Sequence, residues 1–290
     1  MGFTLVLGCG LIAFGPSMML WVVVVGRRPA LVIVGLVGAF FWLASIAAAS
    51  VLWTAFPAAQ EAWLLSMIAG VGLQGFGRLA LAKLYIKTEA VINEAASAAA
   101  TDAAETASTP GANSSGSGRR HIDGARGGSF GGGSDAIAAG RGERDGGDLN
   151  GVLKLNGVSS SIAAGVGWGL IHAVIMVGTA LSKHMGPGAA FSSSCPHVPS
   201  VVVSALSAQA FVMLDLLFMA AAFASARSGD AGLMCYSFGL HFIAALTTAF
   251  NFIGGGCAIS LPLLYGVVVF SAITLARYGP LKFAMRRLER

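Results

Sequence analysis

Residues 157–182, GVSSSIAAGVGWGLIHAVIMVGTALS, carry no charged side chain. About 20 residues at 1.5 Å rise each cross a hydrocarbon core of about 30 Å, so this run is long enough to span a membrane. Gly157, Ser161, Gly165, Gly169 and Ala173 recur every fourth position within it. That spacing puts five small side chains on one helix face, where another backbone can come close. In lipid the tails are as apolar as Leu, so helices associate through close packing and hydrogen bonds, and small-xxx-small faces favour both. With 40 Gly in the chain, Gly2, Gly35 and Gly70 among them, some such spacings arise by chance. The unbroken five-position stripe is what singles this one out.

The rest of the chain has the same character. It is 56% hydrophobic and 11% charged, against about 25% charged in ordinary soluble domains. Apolar runs at 3–25, 30–56, 63–86, 157–182, 200–226, 232–254 and 259–277 predict an all-α polytopic membrane protein, a bundle of seven transmembrane helices. The N-terminus lacks the basic region of a cleaved signal peptide, so residues 3–25 read as a retained first span. With the N-terminus lumenal or extracellular and the C-terminus cytosolic, every one of the 18 Lys and Arg residues except Lys183 falls on the cytosolic side. The basic balance thus follows the membrane. No stacking aromatics interleave with it, and nucleic acid is not expected as a partner; membrane lipids are.

Four segments follow. Helices 1–3 occupy 1–87, and 88–156 reads as a flexible cytosolic linker, because its Gly, Ala and Ser content buries too little apolar surface to offset ordering entropy. Helices 4–7 occupy 157–277, and 278–290 is a basic cytosolic tail. The linker's GGSFGGGS is not a phosphate loop, since no strand precedes it and no GK[ST] closes it.

Polar residues inside the spans are few. Asp215 is the only acidic residue well inside one, and His241 lies at similar depth in the next helix, joined by a short loop. Such neighbours are antiparallel, so an Asp215–His241 hydrogen bond or ion pair is allowed, with Thr248 on nearly the same face. Buried charges at mid-bilayer are costly and mark either function or helix pinning. His172 beside Ala173 is expected to bond a neighbouring helix. Gln74 and Arg78 share a face of span 3, and Arg78 is expected to snorkel toward the cytosolic headgroups. Pro16 removes a helical hydrogen bond from span 1. Cys195 and Cys257 fall in two outer loops, where a bridge and two free thiols are both open. A single intramembrane Asp lacks the carboxylate pair of aspartyl proteolysis, and HExxH is absent. No catalytic residue, metal site or cofactor is expected.

Several ordered motifs resemble a known family. They are Met-Gly with Gly8-Cys9, Ala13–Pro16, Gly38-Ala39-Phe40-Phe41-Trp42-Leu43, Leu73-Gln74, Arg78, Lys83 and the glycine motif Gly165, Gly169, Ala173. Gly186-Pro187-Gly188, His241, Asn251 and Leu261-Pro262-Leu263-Leu264-Tyr265 continue the series through span 7. The chain resembles the anterior-pharynx-defective (Aph) subunit of γ-secretase, a seven-span scaffold with lumenal N-terminus. Two positions depart from it: Ala173 replaces the third glycine, and Asp215 stands where the family carries a His. The resemblance implies a non-catalytic subunit that assembles presenilin, nicastrin and presenilin enhancer and supports intramembrane proteolysis. The membranes implied are the endoplasmic reticulum, Golgi and plasma membrane. The competing reading from the residues is a proton-coupled secondary transporter with Asp215 and His241 as its relay.

Overall fold

The computed structural model describes residues 3–56, 61–108, 157–183 and 191–278. Seven helices long and apolar enough to cross a membrane run through them. They are α1 (Phe3–Leu20), α2 (Pro29–Ala55), α3 (Trp63–Ser108), α4 (Gly157–Lys183), α5 (Ser200–Ser228), α6 (Ala231–Thr248) and α7 (Cys257–Tyr278). The protein is a seven-span all-α membrane protein. A short antiparallel hairpin, β1 (Phe191–Ser192) and β2 (Cys195–Pro199), precedes α5.

Helix ends follow local chemistry. Pro16 lies inside α1, and the chain after it widens into a π-helical turn, Trp21–Val25, closed by Gly26 N donating to Trp21 O at 2.7 Å. Pro29 starts α2 at a position where a missing N–H costs nothing. Gly229 ends α5 in the left-handed conformation (φ 73°), and the Asp230 carboxylate caps α6 by accepting from Gly232 N at 2.8 Å. That two-residue turn makes α5 and α6 antiparallel neighbours.

α5 is the most buried of the seven helices. α4 lies between it and α2, and presents small residues to both. Toward α5, a methyl group on Gly165 would lie 3.0 Å from Leu216 Cα, and one on Gly169 would lie 3.0 Å from Val212 Cγ1. Gly157 approaches the Arg227 guanidinium, Ser161 is buried, and Ala173 packs with Cys9, Ala13, Val201 and Ala205. Toward α2, a methyl on Gly167 would overlap the Gly35 carbonyl, and one on Gly38 would overlap the Ala164 carbonyl. Gly35, which by sequence looks like a stray glycine, is thus a close-approach position. The α2–α4 contact pairs helices far apart in sequence, so no single-helix periodicity displays it.

Two compact units divide the chain, Met1–Thr88 with Leu155–Arg290, and Glu89–Lys154. The expected linker from 88 begins instead as helix, because α3 continues to Ser108. Its sequence there, EAVINEAASAAATDAAETAS, is dominated by Ala, the strongest helix former, which outweighs its lack of a core to join. The remainder of the linker and the tail beyond Tyr278 lie outside the described residues.

The α2–α4 contact predicts that Gly167→Ala destabilises the fold by about 1–3 kcal/mol, the usual cost of overpacking. Gly178→Ala, at a position open to at least 4 Å, leaves stability unchanged. Unfolding in mixed micelles measures both; equal stability of the two variants would refute the close approach.

Candidate functional site

Gly75 and Gly77, within the turn that ends at Arg78, bring α3 close to its neighbours. A methyl on Gly75 would lie 3.2 Å from Phe238 on α6, and one on Gly77 would lie 3.0 Å from the Trp168 ring on α4 and overlap Ser45 Oγ on α2. This narrow seat points Arg78 into the bundle, where it is 2% exposed. The guanidinium Nη2 donates to Asp215 Oδ1 on α5, and Nη1 meets His241 Nδ1 on α6 at 3.0 Å. The second carboxylate oxygen, Asp215 Oδ2, bonds His172 Nδ1 on α4 at 2.8 Å. Four helices therefore each contribute one group to a single buried cluster.

Hydrogen-bond roles fix the protons. A guanidinium only donates, so His241 Nδ1 accepts and its ring proton resides on Nε2. A carboxylate accepts, so His172 carries its proton on Nδ1. Aromatic rings wall the cluster. Arg78 Cζ sits 5.0 Å from the centre of the Trp168 ring and 5.6 Å from that of Phe218. His172 stacks against Trp42 at 5.1 Å and Phe211 at 5.4 Å, and His241 against Phe218 at 5.6 Å. The ring faces attract the cation, and the ion pair itself is buried.

A cavity of about 540 Å³ adjoins the cluster and includes both His172 and His241 in its wall. Gln74, Ser204, Ser207 and Thr248 also line it. Gln74 Oε1 is buried with no hydrogen-bond partner among the described residues. A space of this size with polar walls is suited to water.

A sequence model of the Aph-1 protein family matches residues 4–278. The chain belongs to the Aph-1 family. It is similar to the γ-secretase subunit APH1-like of Arabidopsis thaliana, 27% identical over 286 residues, which cover 97% of this chain and 93% of the plant protein. It is also similar to γ-secretase subunit APH-1B of Mus musculus, 48% identical over 46 residues, 16% of this chain and 18% of that protein. The Homo sapiens APH-1B is 44% identical over 46 residues, with the same coverage.

In this Aph-1 family member two expectations about the polar residues change. Arg78 does not snorkel: a carboxylate within reach in the interior replaces the headgroups as its partner. Among the described residues Asp215 and His241 form no direct bond, because the guanidinium lies between them and bonds both. His172 bonds a neighbouring helix as the sequence suggests. Cys195 and Cys257 are joined in a disulfide, Cα to Cα 5.7 Å. Trp168 and the Gly75/Gly77 pair were not singled out by sequence reasoning, and Trp42 entered only within the motif Gly38–Leu43. Their signal was proximity in helical register to Arg78 and His172, which has meaning only once partners are assigned.

Removing one partner of a buried pair leaves the other charge uncompensated, at about 3–5 kcal/mol. Asp215→Leu and Arg78→Met are each expected to cost about that much, while the double variant costs far less than their sum. A double-mutant cycle by unfolding in mixed micelles reads the coupling; additive losses would show that the pair carries no energetic weight.

Proposed function

We propose that this chain is a non-catalytic scaffold subunit of γ-secretase, an intramembrane aspartyl protease complex. In this reading it stabilises presenilin and nicastrin, and with presenilin enhancer it supports the processing of membrane proteins. The observation that carries the proposal is the family match over residues 4–278, seven spans in order, with relatives that are γ-secretase subunits. The state of the polar core supports it. Both oxygens of Asp215 are committed to Arg78 and His172, an arrangement suited to holding helices together and not to activating water. The placement of Lys and Arg supports a lumenal N-terminus and a cytosolic C-terminus. Residence in endoplasmic reticulum and Golgi membranes goes with the same reading.

In this account the small-residue face of α4 is used inside the bundle, and partners bind the outer helix faces. The helices' stability then conditions assembly. Gly165→Leu or Gly169→Leu forces bulk against Leu216 or Val212, at about 1–3 kcal/mol, enough to lower complex recovery several-fold. Affinity purification from native membranes, with presenilin and nicastrin quantified, checks this; undiminished recovery in both variants would count heavily against the scaffold.

The cavity reaching His172 and His241 favours one second reading, a proton-coupled secondary transporter with Asp215 and His241 in its relay. Liposomes holding the purified chain separate the two: pH-dependent flux lost in Asp215→Asn would establish transport, and no flux leaves the scaffold.

A further inference from the structure

Two open cavities flank the beginning of α3. The polar one, about 540 Å³, lies among α3, α4, α5 and α6. A second, of about 510 Å³, lies between α2 and α3. Its wall is apolar, with Ile46, Leu52 and Trp53 from α2 and Leu65 and Ala69 from α3. Each falls within the roughly 300–1,000 Å³ of small-molecule pockets. The two adjoin at Gly70, which belongs to both walls. A methyl on Gly70 would meet nothing within 4 Å, in contrast to the tight seats at Gly75 and Gly77. α3 is held on either side of this gap, at one end by Trp63 against the Phe252 ring (6.5 Å) and at the other by Gly75, Gly77 and Arg78. Neither cavity is lined by Lys, Arg, Asp or Glu. In the polar wall Gln74 is only 9% exposed, and its Oε1 and Asn251 Oδ1 are buried with no hydrogen-bond partner among the described residues.

We propose that the joined cavities bind an amphiphile with an uncharged, hydroxylated head, of the monoacylglycerol class. Its acyl chain lies in the crevice between α2 and α3, and its head passes Gly70 into the polar cavity. The inference rests on the two cavities and their junction, and is independent of the assembly role. Both helices of the crevice are membrane spans, so an acyl chain is the apolar group at hand to fill it. The polar wall selects the head. Gln74 Oε1 and Asn251 Oδ1 call for donors, and the Nε2–H of His241 calls for an acceptor. A hydroxyl group meets both demands. A phosphate or carboxylate would need a cation to offset its burial, and the nearby guanidinium is already committed to Asp215 and His241. A wholly apolar ligand would leave the buried amide oxygens unpaired, at the cost of their desolvation.

Photolabelling tests the site. The full chain, in phosphatidylcholine nanodiscs, is irradiated with a monoacylglycerol that carries a diazirine in its acyl chain, and labelled peptides are mapped by mass spectrometry. The expected result is labelling concentrated in 46–56 and 65–70 and displaced by excess unlabelled monoacylglycerol. Gly70→Leu fills the junction and should lower that labelling at least about tenfold. Gln74→Leu leaves the crevice intact but removes an acceptor for the head, and should lower it as well. Gly178→Leu, at a glycine equally open but remote from both cavities, leaves it unchanged. A phosphatidylcholine with the same diazirine chain should label lipid-facing helices without preference for these segments. If Gly70→Leu does not elute as a folded monodisperse chain, Ala69→Leu, which narrows the crevice from the same helix, gives the same comparison. Labelling of 46–56 and 65–70 that survives either substitution at the site, or that the phosphatidylcholine probe matches, would overturn the proposal.

Discussion

An arginine facing an aspartate in the middle of a lipid-embedded bundle sets the terms for the rest of this structure. Deep in a bilayer each charge alone is expensive. Together, with His172 and His241 taking up further hydrogen-bonding capacity, they form a cluster without net charge when both imidazoles are neutral. The aromatic walls deepen the effect, because Trp168, Phe218 and Phe211 keep the surroundings apolar and strengthen the attraction. The same walls make any slip costly. A shift of one helical turn, 5.4 Å, would carry Arg78 out of reach of the carboxylate and strand both groups.

Close packing and register are thereby supplied by different residues. The small side chains of α4 let helices approach, but a stripe that repeats every fourth position looks much the same after a one-turn slide. Gly165 and Gly169 meet α5, while Ala164 and Gly167 meet α2 from the other side, since two residues along a helix turn through about 200°. These contacts give proximity on two sides of one helix. The ion pair, which has one satisfactory arrangement, selects the register. A small-residue face and a buried polar cluster are complementary for this reason, and neither alone would specify the bundle.

How much of this was legible from the sequence follows from the same division. The seven helices were legible because each apolar run declares its own length, and the depth of Asp215 and His241 because the turn between their helices is short. The partner of Asp215 was not. A depth argument treats each helix alone, so Arg78 was assigned to the headgroups; only the seating of α3 against α2, α4 and α6 at Gly75 and Gly77 shows that a carboxylate on α5 is nearer. Gly35 was read as scatter for a similar reason, since its significance lies in Gly167 on another helix. The extension of α3 to Ser108 was missed on different grounds: an Ala-rich, polar stretch looks like linker when judged by burial, and like helix when judged by propensity.

The substitution at position 215 fits this physical account. The Aph family, on the resemblance in span 5, carries an imidazole there, which when neutral could bond Arg78 but not balance its charge. A carboxylate does both, and still accepts from His172. The groups that meet it come from both sides of the long segment between α3 and α4: Arg78 from the first three helices, and His172, Asp215 and His241 from the last four. The interior charge pair is therefore one fastening between the two runs of spans, beside the close approach of α2 to α4 at Gly35 and Gly167. A chain divided by such a segment needs that kind of contact more than one whose helices follow one another directly.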